Sequence, residues 1–433
     1  MSDSKHVAKY PPMGWNSWDC YGASVNEEEL LGNAKYMAEN LKEYGWEYIV
    51  CDIQWSEPTA DSCWYHKFTE LNMDEYSRLI PAENRFPSSK DGQGFKPIAD
   101  QIHEMGLKFG IHIMRGIPRQ AVHRNTKLLG TDKTARDIAH PASICMWNTD
   151  MYGVDASQEG AQEYYDSIFK LYAEWGVDYV KVDDLARVDV GPDAPGAGFS
   201  EITLIKKAIE KCGRPMVLSL SPGPARVDQK DFLLENANMW RMTDDFWDDW
   251  KLLYGMFERA DAWAGIGCKD HWPDCDMLPL GHIGVRTTPD RHDDRMTNFT
   301  HDEQMLLMTL WCIFRSPLMF GGELRDNDPF TLSLLTNKKL LEMHHDGRKA
   351  HQISRKKDIV TWMSKTKAGK KYLAIFNLND EVKEAKLKFE DYGFDKDKKV
   401  KCTEIWSGRD GNLENGDKIA LNPHGCMCFE IEE

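Results

Sequence analysis

The sequence predicts an α/β fold, a (β/α)8 TIM barrel followed by a C-terminal antiparallel β-sandwich domain. Short apolar segments alternate with amphipathic helical segments about eight times along most of the chain, which is the pattern of parallel β/α units. Eight such units favour a closed barrel over an open sheet. Near the C-terminus the apolar residues instead follow the two-residue period of antiparallel strands. We therefore predict the barrel domain over residues 1–345 and the β-domain over residues 346–433.

The predicted barrel strands are short and apolar, and several end in polar side chains. They cover residues 13–18, 48–52, 107–112, 177–184, 216–220, 239–241, 265–268 and 317–321. Helices are predicted over residues 27–44, 95–105, 159–175, 201–211, 250–264 and 302–314. A long polar segment, residues 115–154, interrupts this alternation, and a structureless loop of that length usually carries function. Strands of the β-domain are predicted over residues 358–364, 371–376 and 426–431.

The composition argues against several classes of partner. Apolar residues make up 41% and charged residues 29%, as is typical of a soluble globular protein. The net charge of −16 argues against nucleic acid or an anionic membrane surface. The 11 cysteines include no CxxC pair, and the N-terminus has no apolar signal core. We expect a cytoplasmic protein with a small-molecule ligand, without nucleic-acid or membrane partners; the sequence leaves a homo-oligomer open.

The segment 177–184 is the most informative predicted strand. The two-residue period places Tyr179, Lys181 and Asp183 on one face, opposite Val180 and Val182. A lysine beside a carboxylate lowers the pKa of the acid, and an ionised carboxylate at a strand's exit suits an attacking nucleophile. An ion pair that caps a buried strand explains this segment alone equally well.

A second cluster, residues 240–250, is rich in aspartate and tryptophan. Phe246 and Trp247 beside Asp245 would raise the pKa of that acid, as a general acid requires. Two carboxylates in different environments are the parts of a retaining glycosidase. The alternative is an aspartate-rich helix N-terminus, which is our interpretation of Asp244, Asp248 and Asp249. Chemistry alone does not separate Asp244 from Asp245.

Polar residues recur at or just after the ends of several predicted strands, which capping alone does not explain. They are Asp52, His112, Lys181, Asp183, Arg241, Asp245 and Asp276. In a TIM barrel these ends meet at one rim, where the chemistry takes place.

Several motifs follow one another along nearly the whole chain. They are PPMGWNSW at 11–18, YIVCD at 48–52 with Trp55, KVD at 181–183, WR at 240–241 with Asp245, WPDCDML at 272–278 and RSPL at 315–318. In this order they resemble the melibiase-type α-galactosidase family, in the glycoside hydrolase clan that also holds α-N-acetylgalactosaminidases and β-L-arabinopyranosidases. The resemblance implies a barrel with a C-terminal antiparallel β-domain.

The resemblance also implies an activity and a role for each matching residue. The chain is expected to be a retaining exo-glycoside hydrolase that releases a terminal galacto-configured sugar, α-D-galactose or the isosteric β-L-arabinopyranose, through a covalent glycosyl-Asp intermediate. No cofactor or metal is expected. The implied residues are Asp183 as nucleophile, Asp245 as acid/base, Lys181 and Asp52 on ring hydroxyls, Arg241 on a hydroxyl near the anomeric carbon, Trp18 as an apolar wall, and Asp276 as a further substrate-binding residue.

The sequence departs from the family pattern at informative positions. Ile53 stands where the family usually has a second Asp that contacts the galactose hydroxymethyl group. An apolar side chain there removes a hydrogen bond worth about 1 kcal/mol and favours L-arabinopyranose, which lacks that group. Ser221 and Ala225 leave room for a 2-acetamido group, which keeps an α-N-acetylgalactosaminidase as the alternative. Leu185 stands where secreted relatives often have a disulfide cysteine. His112 replaces a frequent aromatic residue and is assigned a substrate-binding role.

Two other classes of function compete with this interpretation. The first is a metal site formed by Asp270, His271, Asp274, Cys275 and Asp276, whose spacing fits no standard zinc pattern. The second is a non-catalytic carbohydrate-binding protein, which would not need both carboxylates.

Overall fold

Eight parallel strands form the main sheet of the protein, for which a computed structural model describes residues 6–187, 194, 196–286 and 294–432. In chain order the strands are Met13–Asn16, Tyr48–Cys51, Lys108–Met114, Tyr179–Asp183, Val217–Leu220, Met239–Arg241, Trp272–Asp274 and Leu318–Phe320, hereafter barrel strands 1 to 8. Strands 1 to 7 lie side by side in sequence order, and strand 8 pairs with strand 1. A parallel bridge between Leu278 and Phe320 joins the two edges. The predicted barrel fold is confirmed.

Helices cover the outside of the barrel. Those that follow strands 1 to 8 are Glu27–Asn40, Lys96–Glu104, Ala161–Trp175, Ala197–Lys211, Lys230–Asn236, Trp250–Trp263, His301–Phe314 and Lys338–Asp346. Shorter helices are Trp18–Tyr21, Arg119–Arg124, Ala135–Ile138, Pro329–Leu335 and Phe389–Tyr392. Asn26 and Glu29 form the capping box that starts the first long helix. Among the described helices, none has the length and apolar content needed to cross a lipid bilayer.

The two faces of strand 4 differ as the alternation predicts. Tyr179 packs inside the barrel in a cluster that includes Tyr48 and Val217. Val180 and Val182 face outward and join the core under the helices. Lys181 and Asp183 share the face of Tyr179 and therefore point toward the barrel axis.

The polar segment 115–154 is not structureless, and this prediction is wrong. Strands Ile117–Pro118, Ala139–Ile144 and Met151–Val154 form a three-stranded antiparallel sheet, with Met151–Val154 in the middle. The strand Ala139–Ile144 is mostly exposed or half-buried, so it lacks the apolar alternation that identifies a strand in sequence. The segment inserts a small sheet between strand 3 and its helix.

The seventh barrel strand lies later in the chain than predicted. The apolar segment 265–268 ends a turn in which Gly265 has φ +75°, and Trp272–Asp274 pairs with strand 6 instead. A strand of three residues that includes a proline gives no periodic signal.

The C-terminal domain is an antiparallel β-sandwich, as predicted. Its larger sheet contains Arg348–Lys356, Ile359–Lys365, Lys371–Asn377, Cys426–Glu432, Val400–Glu404 and Asp410–Leu413 in that spatial order. The strand pair Lys383–Lys386 and Lys418–Leu421 contributes Ala385 and Leu421 to the core behind this sheet. The predicted division at residues 345 and 346 falls at the end of helix Lys338–Asp346 and stays a prediction.

The β-domain packs against the helices of the barrel. The Trp250 ring stacks on His424 at 3.5 Å between ring centroids. Trp406 Nε1 donates to Thr309 Oγ1 at 3.0 Å, and His424 Nδ1 contacts Glu303 at 2.7 Å. These contacts fix the domain to the helices that follow strands 6 and 7.

Candidate active site

A cavity of about 420 Å3 opens at the carboxyl ends of the barrel strands. Every site residue predicted from the sequence lines it except Ile53: Trp18, Asp52, His112, Lys181, Asp183, Ser221, Arg241, Asp245 and Asp276. A larger hollow of about 670 Å3 lies at the amino ends of the strands, among His6, Tyr10 and His345. Because the chemistry of TIM barrels takes place at the carboxyl ends, we place the active site in the smaller cavity.

Asp52 is a buried carboxylate with an unusually complete set of partners. Its oxygens accept hydrogen bonds from Asn16 Nδ2 at 2.8 Å and from the N–H of Ile53 at 2.8 Å. His112 Nδ1 lies 2.8 Å from Oδ1, and Lys181 Nζ lies 3.5 Å from Oδ2. Burial opposes the charge, but His112 and Lys181 outweigh it and hold the pKa of Asp52 well below its usual range. Asp52 therefore stays ionised at neutral pH.

Asp183 ends strand 4 beneath the cavity and is also held in its charged form. The N–H of Asp184 donates to its Oδ1 at 2.8 Å, and Ser221 Oγ lies 3.3 Å from the same atom. His112 Nε2 lies 3.3 Å from Oδ2. Burial raises the pKa of Asp183, but the contact and charge of His112, with Lys181, lower it below its usual value.

His112 thus joins the two buried carboxylates. Burial disfavours the imidazolium ion, yet Asp52 and Asp183 raise the pKa of His112 above its usual value. The Nε2 atom makes an ion contact with Asp183 without the alignment of a good hydrogen bond. His112 also lines the cavity, so the substrate-binding role predicted for it stays a prediction.

Asp184 anchors the turn that follows the nucleophile candidate. Its φ is +63°, and its carboxylate lies 2.7 Å from Arg115 Nη2. Arg115 Nη1 also pairs with the buried Glu201 at 2.7 Å, and Tyr165 donates its hydroxyl proton to Glu201 at 2.5 Å. Burial raises the pKa of Asp184 to about 7. These contacts hold Asp184 in place, and with it the backbone N–H that binds Asp183.

Asp245 stands at the mouth of the cavity, with its side chain 67% exposed. Arg241 Nη2 lies 3.0 Å from Asp245 Oδ1 and 2.9 Å from Asp276 Oδ2. The Phe246 ring, which follows Asp245 in the chain, packs on Trp311 and Phe299. Asp245 is therefore tied to the buried Arg241 and open to the solvent.

The neighbouring aspartates have separate functions in the structure. Asp249 caps helix Trp250–Trp263 by accepting the N–H of Lys251 at 2.7 Å, as expected for an aspartate at a helix N-terminus. Asp248 is buried and pairs with Arg295 at 2.6 Å. Asp244 is exposed and pairs with Arg187 at 2.7 Å.

Ile53 does not line the cavity, which corrects its assignment as a substrate contact. It is 2% exposed and belongs to an apolar cluster with Met114 and Met151. Trp18 and Tyr65 pack against that cluster, and their rings stack at 5.7 Å between centroids. Ile53 therefore supports the cavity wall from behind, and Tyr65 presents the surface.

Ser221 and Ala225 also have different surroundings. Ser221 lines the cavity and contacts Asp183. Ala225 is buried outside the cavity lining, with its N–H donated to the backbone oxygen of Arg241 at 2.9 Å.

Sequence reasoning missed several residues that line the cavity. Asp19 is 4% exposed, its Oδ2 has no hydrogen-bond partner among the described residues, and burial raises its pKa. Tyr65, Trp64 and Trp147 come from loops. Asp19 follows Trp18 in the first motif and was accessible to sequence reasoning; the loop aromatics carry no periodic signal.

The acidic cluster considered as a metal site is divided between the two ends of strand 7. Asp270 Oδ1 accepts the N–H of Ala8 at 2.9 Å before the strand begins. Asp276 pairs with Arg241 after the strand ends. Within residues 6–187, 194, 196–286 and 294–432, no group of three His, Cys, Asp or Glu side chains could hold a metal ion.

Comparison with known proteins agrees with this arrangement. Residues 129–346 match the family model described as alpha galactosidase A, and residues 356–431 match its C-terminal beta sandwich domain. The chain belongs to the alpha-galactosidase A family. It is accordingly a glycoside hydrolase, and the resemblance inferred from the motifs is confirmed.

Individual relatives of this family member cover nearly its whole length. A β-L-arabinopyranosidase from Geobacillus stearothermophilus is 57% identical, with a TM-score of 0.95 over 99% of this chain and 97% of that chain. A putative α-N-acetylgalactosaminidase from Bacillus halodurans is 55% identical, with a TM-score of 0.87 over 98% and 97%. Alpha-galactosidase 2 from Arabidopsis thaliana is 24% identical over 98% of this chain and 90% of its own length.

Proposed function

We propose that this glycoside hydrolase releases terminal β-L-arabinopyranose with retention of configuration, using Asp183 as the nucleophile and Asp245 as the acid/base. The main observation in support of this mechanism is the difference in environment between the two carboxyl groups. Asp183 is buried and held ionised, whereas Asp245 is exposed at the mouth, where a leaving group must depart. Two carboxyls with separate environments are what a double displacement needs.

The first half of the reaction glycosylates the enzyme. An Asp183 oxygen forms a bond to the anomeric carbon while the bond from that carbon to the leaving oxygen breaks. Asp245, in its acid form, transfers its proton to the leaving oxygen and becomes a carboxylate. Arg241, 3.0 Å from Asp245, stabilises the carboxylate that results.

The second half restores the free enzyme. Asp245, now a carboxylate, takes a proton from water, and the water oxygen attacks the anomeric carbon. The bond to Asp183 breaks, and its electron pair returns to the carboxylate. Retention follows from two inversions, and it requires the two carboxyl groups to lie roughly 5–5.5 Å apart.

The sugar ring is proposed to bind between the charged floor of the cavity, formed by Asp52 and Lys181, and the aromatic wall formed by Trp18. Asp52 and Lys181 are ion-paired and together offer one acceptor and one donor to neighbouring ring hydroxyls. Trp18 offers an apolar face to the ring carbons. Every role in this scheme is filled by a side chain, so the proposal includes no cofactor and no metal.

The choice of arabinopyranose rests on the apolar wall that the rings of Trp18 and Tyr65 form at the cavity, with the apolar cluster of Ile53 behind it. A hydroxymethyl group that met this wall would lose its hydrogen bonds to water without replacement, at a cost of about 1–3 kcal/mol. β-L-arabinopyranose has the ring configuration of galactose without that group. The Geobacillus relative at 57% identity is named as a β-L-arabinopyranosidase, and a variant of it was solved in complex with arabinose.

α-N-acetylgalactosaminidase is the second candidate, because the relative from Bacillus halodurans carries that description. The environment of Ser221 and Ala225 gives it less support: the Ser221 hydroxyl faces Asp183, and Ala225 does not line the cavity. A non-catalytic carbohydrate-binding protein would not need the paired Asp183 and Asp245. We retain the cytoplasmic location as part of the proposal.

A panel of three nitrophenyl glycosides tests the proposal directly. We expect kcat/KM on the β-L-arabinopyranoside to exceed the values on the α-D-galactoside and the N-acetyl-α-D-galactosaminide. Asp183→Ala serves as the inactive control. A higher kcat/KM on either competing glycoside would overturn the choice of sugar, and full activity of Asp183→Ala would overturn the nucleophile.

A further inference from the structure

Large apolar side chains stand exposed on two loops beside the mouth of the active-site cavity. Trp64 and Trp147 are 36% and 39% exposed and line the cavity. Phe68 and Met146, close to them in the chain, are 74% and 86% exposed. We refer to the two tryptophans that line the cavity, Trp64 and Trp147, as the aromatic rim. A group of exposed apolar side chains beside a cavity often marks a binding surface, whereas single exposed apolar residues are common on any protein.

The two loops are fixed to each other beneath the aromatic rim. The N–H of Phe68 donates to Thr149 Oγ1 at 2.8 Å. Gln54 Nε2 donates to both Glu57 and Asp150 at 2.9 Å, so one side chain joins the start of the first loop to the end of the second. The exposed side chains therefore lie on loops that hydrogen bonds hold in place, and their exposure does not result from loose packing.

The buried Glu57 also braces the first loop from within. Its side chain is 0% exposed and lies 2.5 Å from His66 Nδ1. His66 lies between Trp64 and Phe68 in the chain, so this contact holds the segment that carries both. The same acid accepts the hydroxyl of Thr59 at 2.9 Å.

The position of Asp245 indicates what the aromatic rim contacts. A proton donor must lie beside the leaving oxygen, and Asp245 is exposed at the mouth while Asp183 is buried. The leaving group therefore extends toward the mouth, where Trp64 and Trp147 stand. Lys67 and the ion pair of Arg187 with Asp244 line the same mouth and offer polar partners beside the apolar faces.

We propose that the aromatic rim is an aglycone-binding site that takes a second pyranose ring, with the apolar face of the ring stacked on Trp64 or Trp147. This inference rests on the proposed function only in using Asp183 and Asp245 as the catalytic pair. Flat apolar faces belong to sugar rings and to aryl groups alike. The mixture of indole faces with charged side chains favours the sugar, because a pyranose has hydroxyl groups at its edge.

Three substrates with one common glycone separate these alternatives. They are a disaccharide with a terminal β-L-arabinopyranose, the methyl glycoside, and the nitrophenyl glycoside. The disaccharide and the methyl glycoside have similar alkyl leaving groups, but only the disaccharide has a second ring. If the panel of nitrophenyl glycosides shows a galactosidase instead, the same comparison is made with substrates that end in galactose. The aglycone-binding site can therefore be tested even if the proposed terminal sugar is wrong.

We expect Trp147→Ala and Trp64→Ala to lower the ratio of kcat/KM on the disaccharide to kcat/KM on the methyl glycoside, on the order of tenfold for the more important ring. Trp147→Phe should restore part of the ratio. Tyr10→Ala is the matched control, because Tyr10 is an exposed aromatic residue, 37% exposed, beside the hollow at the opposite end of the barrel; its ratio should equal that of the wild type. Thermal unfolding of each variant establishes that it is folded.

Two results would overturn the inference. An unchanged ratio in folded variants of both tryptophans would show that the aromatic rim does not bind the leaving group. A loss confined to the nitrophenyl glycoside, with the disaccharide ratio unchanged, would assign the site to aryl aglycones and reject the sugar.

Discussion

His112 Nε2 lies 3.3 Å from Asp183 Oδ2. The other ring nitrogen contacts Asp52 at 2.8 Å, so one imidazolium ion separates two buried carboxylates that would otherwise repel each other. The proposed nucleophile and the proposed sugar ligand therefore share one positive charge. We therefore expect His112 to act as a positioning residue, because it contacts both the proposed nucleophile and the proposed sugar ligand.

The shared charge predicts a change in the pH profile of a His112 variant. His112→Phe removes the cation that lowers the pKa of Asp183. The pKa of Asp183 therefore rises in the variant, and the carboxylate that attacks forms only at a higher pH. We expect the acidic limb of kcat/KM to move upward by about one to three pH units. Steady-state kinetics between pH 3 and pH 8 measure this shift. A limb at the wild-type position would show that His112 does not tune Asp183.

A second prediction separates Asp245 from Asp244, which the sequence alone leaves equivalent. Asp245→Asn should lower kcat on an alkyl glycoside by about 10²- to 10⁴-fold, the range for loss of a general acid. The loss should be smaller on a dinitrophenyl glycoside, whose leaving group needs no proton. Asp244 pairs with Arg187 at the surface, so Asp244→Asn should cost at most about fivefold. Equal losses in the two variants would contradict the assignment.

The barrel and its charged floor were predictable because they follow from a repeating pattern. The period of strand 4 places Lys181 and Asp183 on the face of Tyr179, and the structure agrees. The same reasoning placed Asp52 and Arg241 at strand ends, since parallel strands present their carboxyl ends at one rim.

The loop residues at the mouth of the cavity were not predictable from the same pattern. Tyr65 and Trp147 belong to loops whose positions depend on long-range contacts, such as the hydrogen bond from Phe68 to Thr149. Ile53 was assigned to the sugar because it directly follows Asp52. Successive residues at a strand end point in different directions, and its side chain turns into the apolar cluster with Met114.

The position of Ile53 behind Tyr65 predicts that sugar specificity depends on both residues. Ile53→Asp should raise kcat/KM on the α-D-galactoside relative to the arabinopyranoside, but it also buries an unpaired acid and should lower stability by about 1–3 kcal/mol. Adding Tyr65→Ala opens the wall that separates residue 53 from the cavity.

We therefore expect the double variant to show a larger ratio of galactoside to arabinopyranoside activity than either single variant. Ile53→Val keeps an apolar side chain and should leave the ratio at the wild-type value. Kinetics on both nitrophenyl glycosides measure the ratio, and thermal unfolding measures the stability. If the ratio is the same in the wild type, the two single variants Ile53→Asp and Tyr65→Ala and the double variant, the apolar wall does not select the sugar.

The charge network below the nucleophile predicts how stability changes with pH. Burial raises the pKa of Asp184 to about 7, far above its value of about 4 in an unfolded chain. A carboxyl with a raised pKa binds its proton more tightly in the folded state, so its contribution favours folding at low pH. That contribution is lost as the pH rises from about 4 to about 7, by about 1.4 kcal/mol for each unit of pKa difference.

Asp184→Asn removes this titration and keeps the backbone N–H that binds Asp183. We expect the Tm of the variant minus the Tm of the wild type to increase between pH 5 and pH 8, whatever its value at pH 5. Asp132→Asn, at a carboxyl whose side chain is 89% exposed, is the control and should show a constant difference. A constant difference for Asp184→Asn between pH 5 and pH 8 would contradict the prediction, because it would mean that Arg115, 2.7 Å away, keeps Asp184 ionised throughout this range.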